Sequence, residues 1–214
     1  MIDIRIFFEK SDKIKYISHL DLNRAFQRAF NRAKLPVWHT EGFNPHLYLV
    51  FSNPLSVGYV GEREILDIRL NEDISLEKIK ERLSAVLPDG IIIKEIDYPK
   101  YKIQEIKYSD FAVNFKYDIL PEKIIKVLEK DELFISKKSK KGMVEVNIKN
   151  LIKKYDLKNT DDDFILDLTV DSSVTASLNP RLVIDVINRE LSINIDNVKY
   201  VRKEFLDSNF ESFK

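Results

Sequence analysis

The chain contains no cysteine. That excludes thiol nucleophiles, disulfides, thiolate zinc sites and cysteine-held iron–sulfur clusters within it. Glycine is scarce, five in 214 residues. No Gly-rich phosphate loop, nucleophile elbow or kinase signature is present. No apolar run approaches the length of a membrane helix. The first ten residues, MIDIRIFFEK, lack the basic start, apolar core and small-residue cleavage site of a secretion signal. The expectation is a cytoplasmic protein without membrane contact. Net charge is missing too, with 35 basic residues against 35 acidic ones, whereas a protein dedicated to coating nucleic acid is usually more basic. What remains is a chain that is 44% hydrophobic and 33% charged. Those are the proportions of a folded globular protein, long enough for one large domain or two small ones.

The charge balance is not uniform. Between Lys13 and Val60 the basic residues are Lys13, Lys15, Arg24, Arg28, Arg32 and Lys34, and only Asp21 and Glu41 oppose them. All three histidines, His19, His39 and His46, fall in the same stretch. A basic face on a neutral protein suits a specific anionic partner better than a general polyanion.

Apolar periodicity gives the order of elements. Ile2, Ile4, Ile6 and Phe8 alternate as a strand. Ser18 and Asp21 make a capping pair, and Leu22, Ala25, Phe26, Ala29, Phe30 and Ala33 form the apolar stripe of a helix that Pro36 ends. Strands follow around Tyr48–Phe51 and Glu64–Leu70. Ser75 opens a second helix through Leu87, and Ile91–Ile96 is a further strand. This β-α-β-β-α-β order predicts a ferredoxin-like unit over residues 1–98. Residues 99–214 repeat it loosely. Phe111–Ile119 is a strand, Pro121–Glu129 a helix, and Leu133–Lys138 with Met143–Ile148 a hairpin inserted around Ser139-Lys140-Lys141-Gly142. Phe164–Val170, a helix after Asn179-Pro180 and Val198–Phe205 complete it. The expected fold class is therefore α+β, two ferredoxin-like lobes in tandem, with one larger α+β domain as the alternative.

The candidate site residues lie in the first lobe. His19 takes the first position of the helix, where exposed N–H groups disfavour an imidazolium and leave a neutral base or ligand. Asp21 is explained by capping alone. Arg24, Arg28 and Arg32 recur every four residues, as one stripe of the helix, and present planar forks suited to phosphate or carboxylate; a solvated helix face is the plain alternative. In GFNPH, Gly42 and Pro45 shape a tight loop that fixes Asn44 and His46. Arg24, Arg28, Arg32, Asn44, His46 and His19 are thus the candidate binding residues. An acid–base pair of His19 and His46, acting on RNA or in a metal-dependent hydrolase, is the catalytic alternative; it needs the GFNPH loop beside the helix N-terminus. The histidine spacing matches no short metal signature, so neither metal nor cofactor is expected. A third reading makes these residues only a lock for the lobe. The lysine-rich tip at Lys137, Lys138, Lys140 and Lys141 and the acidic Asp161-Asp162-Asp163 read as solvated turns.

SHLDL at Ser18–Leu22, the arginines after it, GFNPH at Gly42–His46, Phe51 with Pro54-Leu55, Gly58, and Glu64 with Asp67 together resemble the radical-SAM-linked protein family, a domain of unknown function. The match is spread over the first 70 or so residues; Leu47 and Val50 depart from the family pattern. The resemblance implies partnership with a radical SAM enzyme, with the radical chemistry in the partner. The expected function is an accessory protein that binds an anionic substrate, RNA among the candidates.

Overall fold

In the computed structural model, which describes residues 1–139, 142–159 and 163–214, the chain forms two compact units. One comprises Met1–Ile103 with Ser212–Lys214, the other Gln104–Glu211. The change of composition at Tyr98-Pro99 thus precedes the passage between units by five residues. The fold is mixed α+β, with ten strands and four α-helices among the described residues.

The first unit follows its hydrophobic pattern closely. Strand β1 (Ile2–Lys10) pairs antiparallel with β3 (Val60–Leu70) and with β4 (Ile91–Asp97). The short β2 (Leu49–Phe51) adds to the other edge of β3. Helices α1 (His19–Arg32) and α2 (Leu76–Ser84) cover one face. Beneath them Ile4, Ile6 and Phe8 of β1 meet Leu66, Ile68 and Leu70 of β3, and Phe26, Phe30, Ile79 and Leu83 close the core from above. The Ser18 hydroxyl accepts the Asp21 N–H at 3.1 Å and donates to the Asp21 carboxylate at 2.7 Å, so the capping pair forms. Ser75 also precedes its helix, but its side chain makes no capping bond.

The second face of β1 is buried as well. Arg5 and Phe7 are at most 1% exposed. The Arg5 guanidinium forms a two-pronged pair with Asp67 at 2.8 and 2.7 Å and donates to the Tyr101 carbonyl at 2.9 Å. Phe213, from the C-terminal segment of this unit, lies 5.0 Å from it, and Arg63 binds the Phe213 carbonyl at 3.0 Å.

The second unit is built from β5 (Tyr108–Phe115), α3 (Pro121–Leu128), β6 (Phe134–Ser139), β7 (Gly142–Asn147), β8 (Ile152–Asn159), β9 (Phe164–Asp171), α4 (Arg181–Leu191) and β10 (Lys199–Leu206). Its sheet runs β10-β5-β9-β8, antiparallel throughout, and β6-β7 form a separate hairpin. Two expectations change. β5 begins at Tyr108 and ends at Phe115, because its last pairings are Asn114 with Lys199 and Phe115 with Phe164. β8 was not expected at all. At the head of α4 the N-cap is Pro180, and Asn179 accepts the Arg181 N–H at 2.9 Å from one residue earlier. Lys140, Lys141, Asp161 and Asp162 lie outside the described residues.

Candidate functional site

The motif residues of the first unit settle in three places. The first is a small cavity below the start of α1. His19 enters it beside Phe8, Lys10, Ile17, Leu22, Phe51, Ser52 and Glu64. It measures about 20 Å³, on a scale where one water needs roughly 10–15 Å³, so it has room for a water and not for a substrate. Lys10 and Glu64 are 2% and 5% exposed, which is rare for such residues without partners. The Lys10 ammonium donates to the Lys15 carbonyl at 2.9 Å. Gly61 makes room for Glu64: a Cβ there would stand 2.4 Å from the Glu64 carboxylate. Lys10, Ser52 and Glu64 were not site candidates from sequence. The signal was present for Glu64, a charge sharing the inward face of β3 with Leu66, Ile68 and Leu70.

The His19 ring meets Phe51 edge-on at 5.2 Å. Burial holds its pKa below the ordinary 6.5. A depressed pKa means the unfolded chain binds the proton more readily, so the contribution of His19 to stability is complete above about pH 6.5 and is lost as the pH falls through the lowered value. Phe51→Ala opens the ring to solvent, and the His19 titration followed by NMR is expected to move up. An unchanged midpoint would show that Phe51 is not the cause.

The second place is the exposed side of α1. Arg24 is held by Asp21 at 3.3 Å, and Arg32 donates to the Val86 carbonyl at 2.7 Å behind α2. Arg28 is exposed and has no hydrogen bond or ion pair among the described residues. The three-residue ladder thus offers one unengaged guanidinium, and Arg32 is partly a structural tie.

The third place is the GFNPH loop. His39 bridges Leu47, Thr40 N–H donates to the His46 carbonyl at 2.8 Å, and Tyr48 N–H to the Trp38 carbonyl at 2.9 Å. The loop is therefore the tip of a small hairpin that leaves the sheet edge where Trp38 N–H meets the Arg69 carbonyl. Gly42 takes φ +130°, closed to other residues without strain. The His46 N–H donates to the Thr40 hydroxyl at 3.2 Å, and Nδ1 lies 3.1 Å from that hydroxyl and 3.2 Å from the Asn44 carbonyl. With Nδ1 so occupied, Nε2 is the free nitrogen of an exposed ring.

His46 does not line the cavity that holds His19; its ring bonds stay within its own hairpin. The shared two-histidine site is therefore not formed. The reason is topological. The cavity sits at the Lys10 and Glu64 ends of β1 and β3, whereas the hairpin departs at Arg69, toward the other end of β3. Among the described residues no group of three or more His, Asp or Glu side chains could hold a metal ion.

The second unit carries an open groove that sequence patterns did not reveal, lined by Asp110, Lys154, Asp156, Asp167, Thr169 and Lys203. Burial raises the Asp110 carboxyl above its ordinary range, against the hydrogen bond that Thr169 donates to it at 2.6 Å.

A model of the family DUF2344, described as an uncharacterized protein conserved in bacteria, matches residues 3–182. The chain belongs to this family. The matched span contains the cavity residues, the α1 arginines and the GFNPH hairpin of this family member. No curated protein matches the chain. Among solved structures, a chain from a Cbf5–Nop10–Gar1 complex is similar with a TM-score of 0.53 at 12% identity, over 93% of this chain and 48% of that one. This family member thus spans about half of the solved chain, and the likeness is one of fold. A protein from Galdieria sulphuraria, titled as unknown, gives a TM-score of 0.29 at 12% identity, over 94% of this chain and 98% of that one. No helix among the described residues is long and apolar enough to cross a membrane.

Proposed function

We propose that this chain is an accessory protein of a radical SAM enzyme that holds an anionic partner, single-stranded RNA, on its first unit. Both units are read here as ferredoxin-like. The first has strand order β4-β1-β3-β2, and the second has β10-β5-β9-β8 with β6-β7 inserted; numbered within each unit, both orders are 4-1-3-2. The partnership rests on the resemblance of SHLDL and GFNPH to radical-SAM-linked proteins. It is in keeping with a sequence that has no thiolates for such an enzyme's cluster. Its test is sedimentation of the chain mixed with purified radical SAM enzymes from the same organism. Separate boundaries at micromolar concentrations would remove that half of the proposal.

The observation that carries the anionic half is Arg28, an unengaged guanidinium on an exposed helix face of a chain with no net charge. Arg28→Gln is expected to change stability by no more than about 0.5 kcal/mol. It should weaken binding to a single-stranded RNA oligonucleotide and reduce the log–log salt slope by about 0.7, the value of one phosphate contact on a single strand. Salt-independent binding, or none, would rule out RNA.

A further inference from the structure

The GFNPH hairpin ends in an anomaly that Arg28 does not explain. Phe43, at its tip, is fully exposed, with a relative accessibility of 104%. Leaving a phenylalanine outside forgoes burial that ordinarily favours the folded state. Yet the loop that displays it is tied at its neck by the Thr40–His46 and His46–Asn44 bonds. The hairpin holds the ring out rather than letting it fold back.

The rest of the hairpin has a matching character. Trp38 and Tyr48 are paired across it, with ring centroids 5.6 Å apart. The Arg69 guanidinium lies 5.6 Å from the Trp38 ring and 5.1 Å from the Tyr48 ring, and is held there by Asp3 at 2.6 Å. Side chains alternate along a strand, so Thr40 and His46 continue the Trp38–Tyr48 face about 7 Å further out, two residues at roughly 3.4 Å each. One ribbon face therefore runs from a cation-backed aromatic pair to an imidazole with Nε2 free, and the loop that closes the ribbon carries an amide and an exposed ring. Aromatic rings interleaved with hydrogen-bonding and cationic groups suit an unpaired nucleobase: every base has a π-face to stack, and its edge accepts and donates.

We infer that the Trp38–Tyr48 hairpin is a single-strand nucleobase platform, in which Phe43 stacks an unpaired base and Asn44 and His46 contact its edge. This rests on the proposed RNA-binding role and names what that role recognises: unpaired bases, not the duplex backbone. A purely apolar knob for a protein pocket would have no use for the amide and imidazole that follow it in the loop.

The test uses the full chain and a short single-stranded RNA carrying 2-aminopurine, with the same sequence in a duplex as control. Wild type is expected to quench the probe on binding and to prefer the single strand. Phe43→Ala should weaken single-strand affinity roughly 5- to 150-fold, the span of one stacked base, and abolish the quench. Phe43→Trp should keep both, because an indole stacks as well. Phe43→Leu should behave as alanine does, since a leucine is apolar but offers no π-face. Thermal melting of each variant should match wild type, because the ring touches no core.

Retained affinity in Phe43→Leu would overturn the inference in favour of an apolar pocket. RNA binding that depends on Arg28 but is indifferent to every Phe43 variant would overturn the inference and leave the anionic-partner reading standing. Absence of any RNA binding by wild type would overturn both.

Discussion

Asp67→Ala is expected to destabilise the first unit by about 3–5 kcal/mol, the cost of leaving a buried charge without its partner. Arg5 has no exposed surface. Two of its nitrogens bond the Asp67 carboxylate, one of these also bonds the Tyr101 carbonyl, and Nη1 has no hydrogen-bond partner. With the carboxylate gone, a buried guanidinium keeps one carbonyl and the Phe213 ring over which it lies. The pair itself is a different matter. Burial pushes the Asp67 carboxyl above its ordinary range even against Arg5, so the attraction does not fully offset the desolvation of the carboxylate. The double variant Arg5→Met with Asp67→Leu should therefore recover most of the loss. Urea unfolding followed by the fluorescence of Trp38, the single tryptophan and a first-unit residue, reports this from within the first unit. A double variant as unstable as Asp67→Ala would contradict the account.

Phe26→Ala should produce a loss of similar size, about 3–5 kcal/mol. The ring is wholly buried and stands at the centre of an aromatic cluster, 4.9 Å from Phe8, 5.7 Å from Phe51 and 6.1 Å from Phe30. It ties α1 to β1 and β2 at once, so no single neighbour can close the space it leaves. Phe26→Leu keeps most of the volume and should cost much less, of order 1.5 kcal/mol. The same fluorescence assay measures both. A loss below about 1 kcal/mol for the alanine variant would mean that α1 is not fastened to the sheet through this ring.

The N-terminal unit was legible because its signals agree. Alternation in β1, the capping pair at Ser18 and the apolar stripe of α1 all point to the elements found. β8 failed for a definite reason. IKKYDLKN carries Lys153, Lys154, Asp156 and Lys158 as exposed residues, and among the described residues it pairs only with β9, with a register shift between Ile152 and Lys154. An edge strand needs no continuous apolar face, so its sequence resembles a loop. The burial of the second face of β1 has a different origin. Its cover comes from Tyr101 and Phe213, nearly 100 and more than 200 residues away, and no local pattern announces such a contact. For the candidate site, the sequence showed the segments but not their placement: pairing His19 with His46 treated closeness in sequence as closeness in space. The buried Lys10 beside the cavity became visible only with strand register, whereas Glu64 already stood out as a charge on the inward face of β3.

The Phe213 contact also sets an order of events during synthesis. Arg5 and Tyr101 emerge early, but the ring that covers Arg5 is made 110 residues after Ile103, the last residue of the first unit's continuous segment. At roughly 5–20 residues per second that is an interval of about 6–22 s. For that time the nascent unit can have its sheet and helices in place while the Arg5 face stays open. The last step in completing this unit waits until the whole of the second unit's segment has been made.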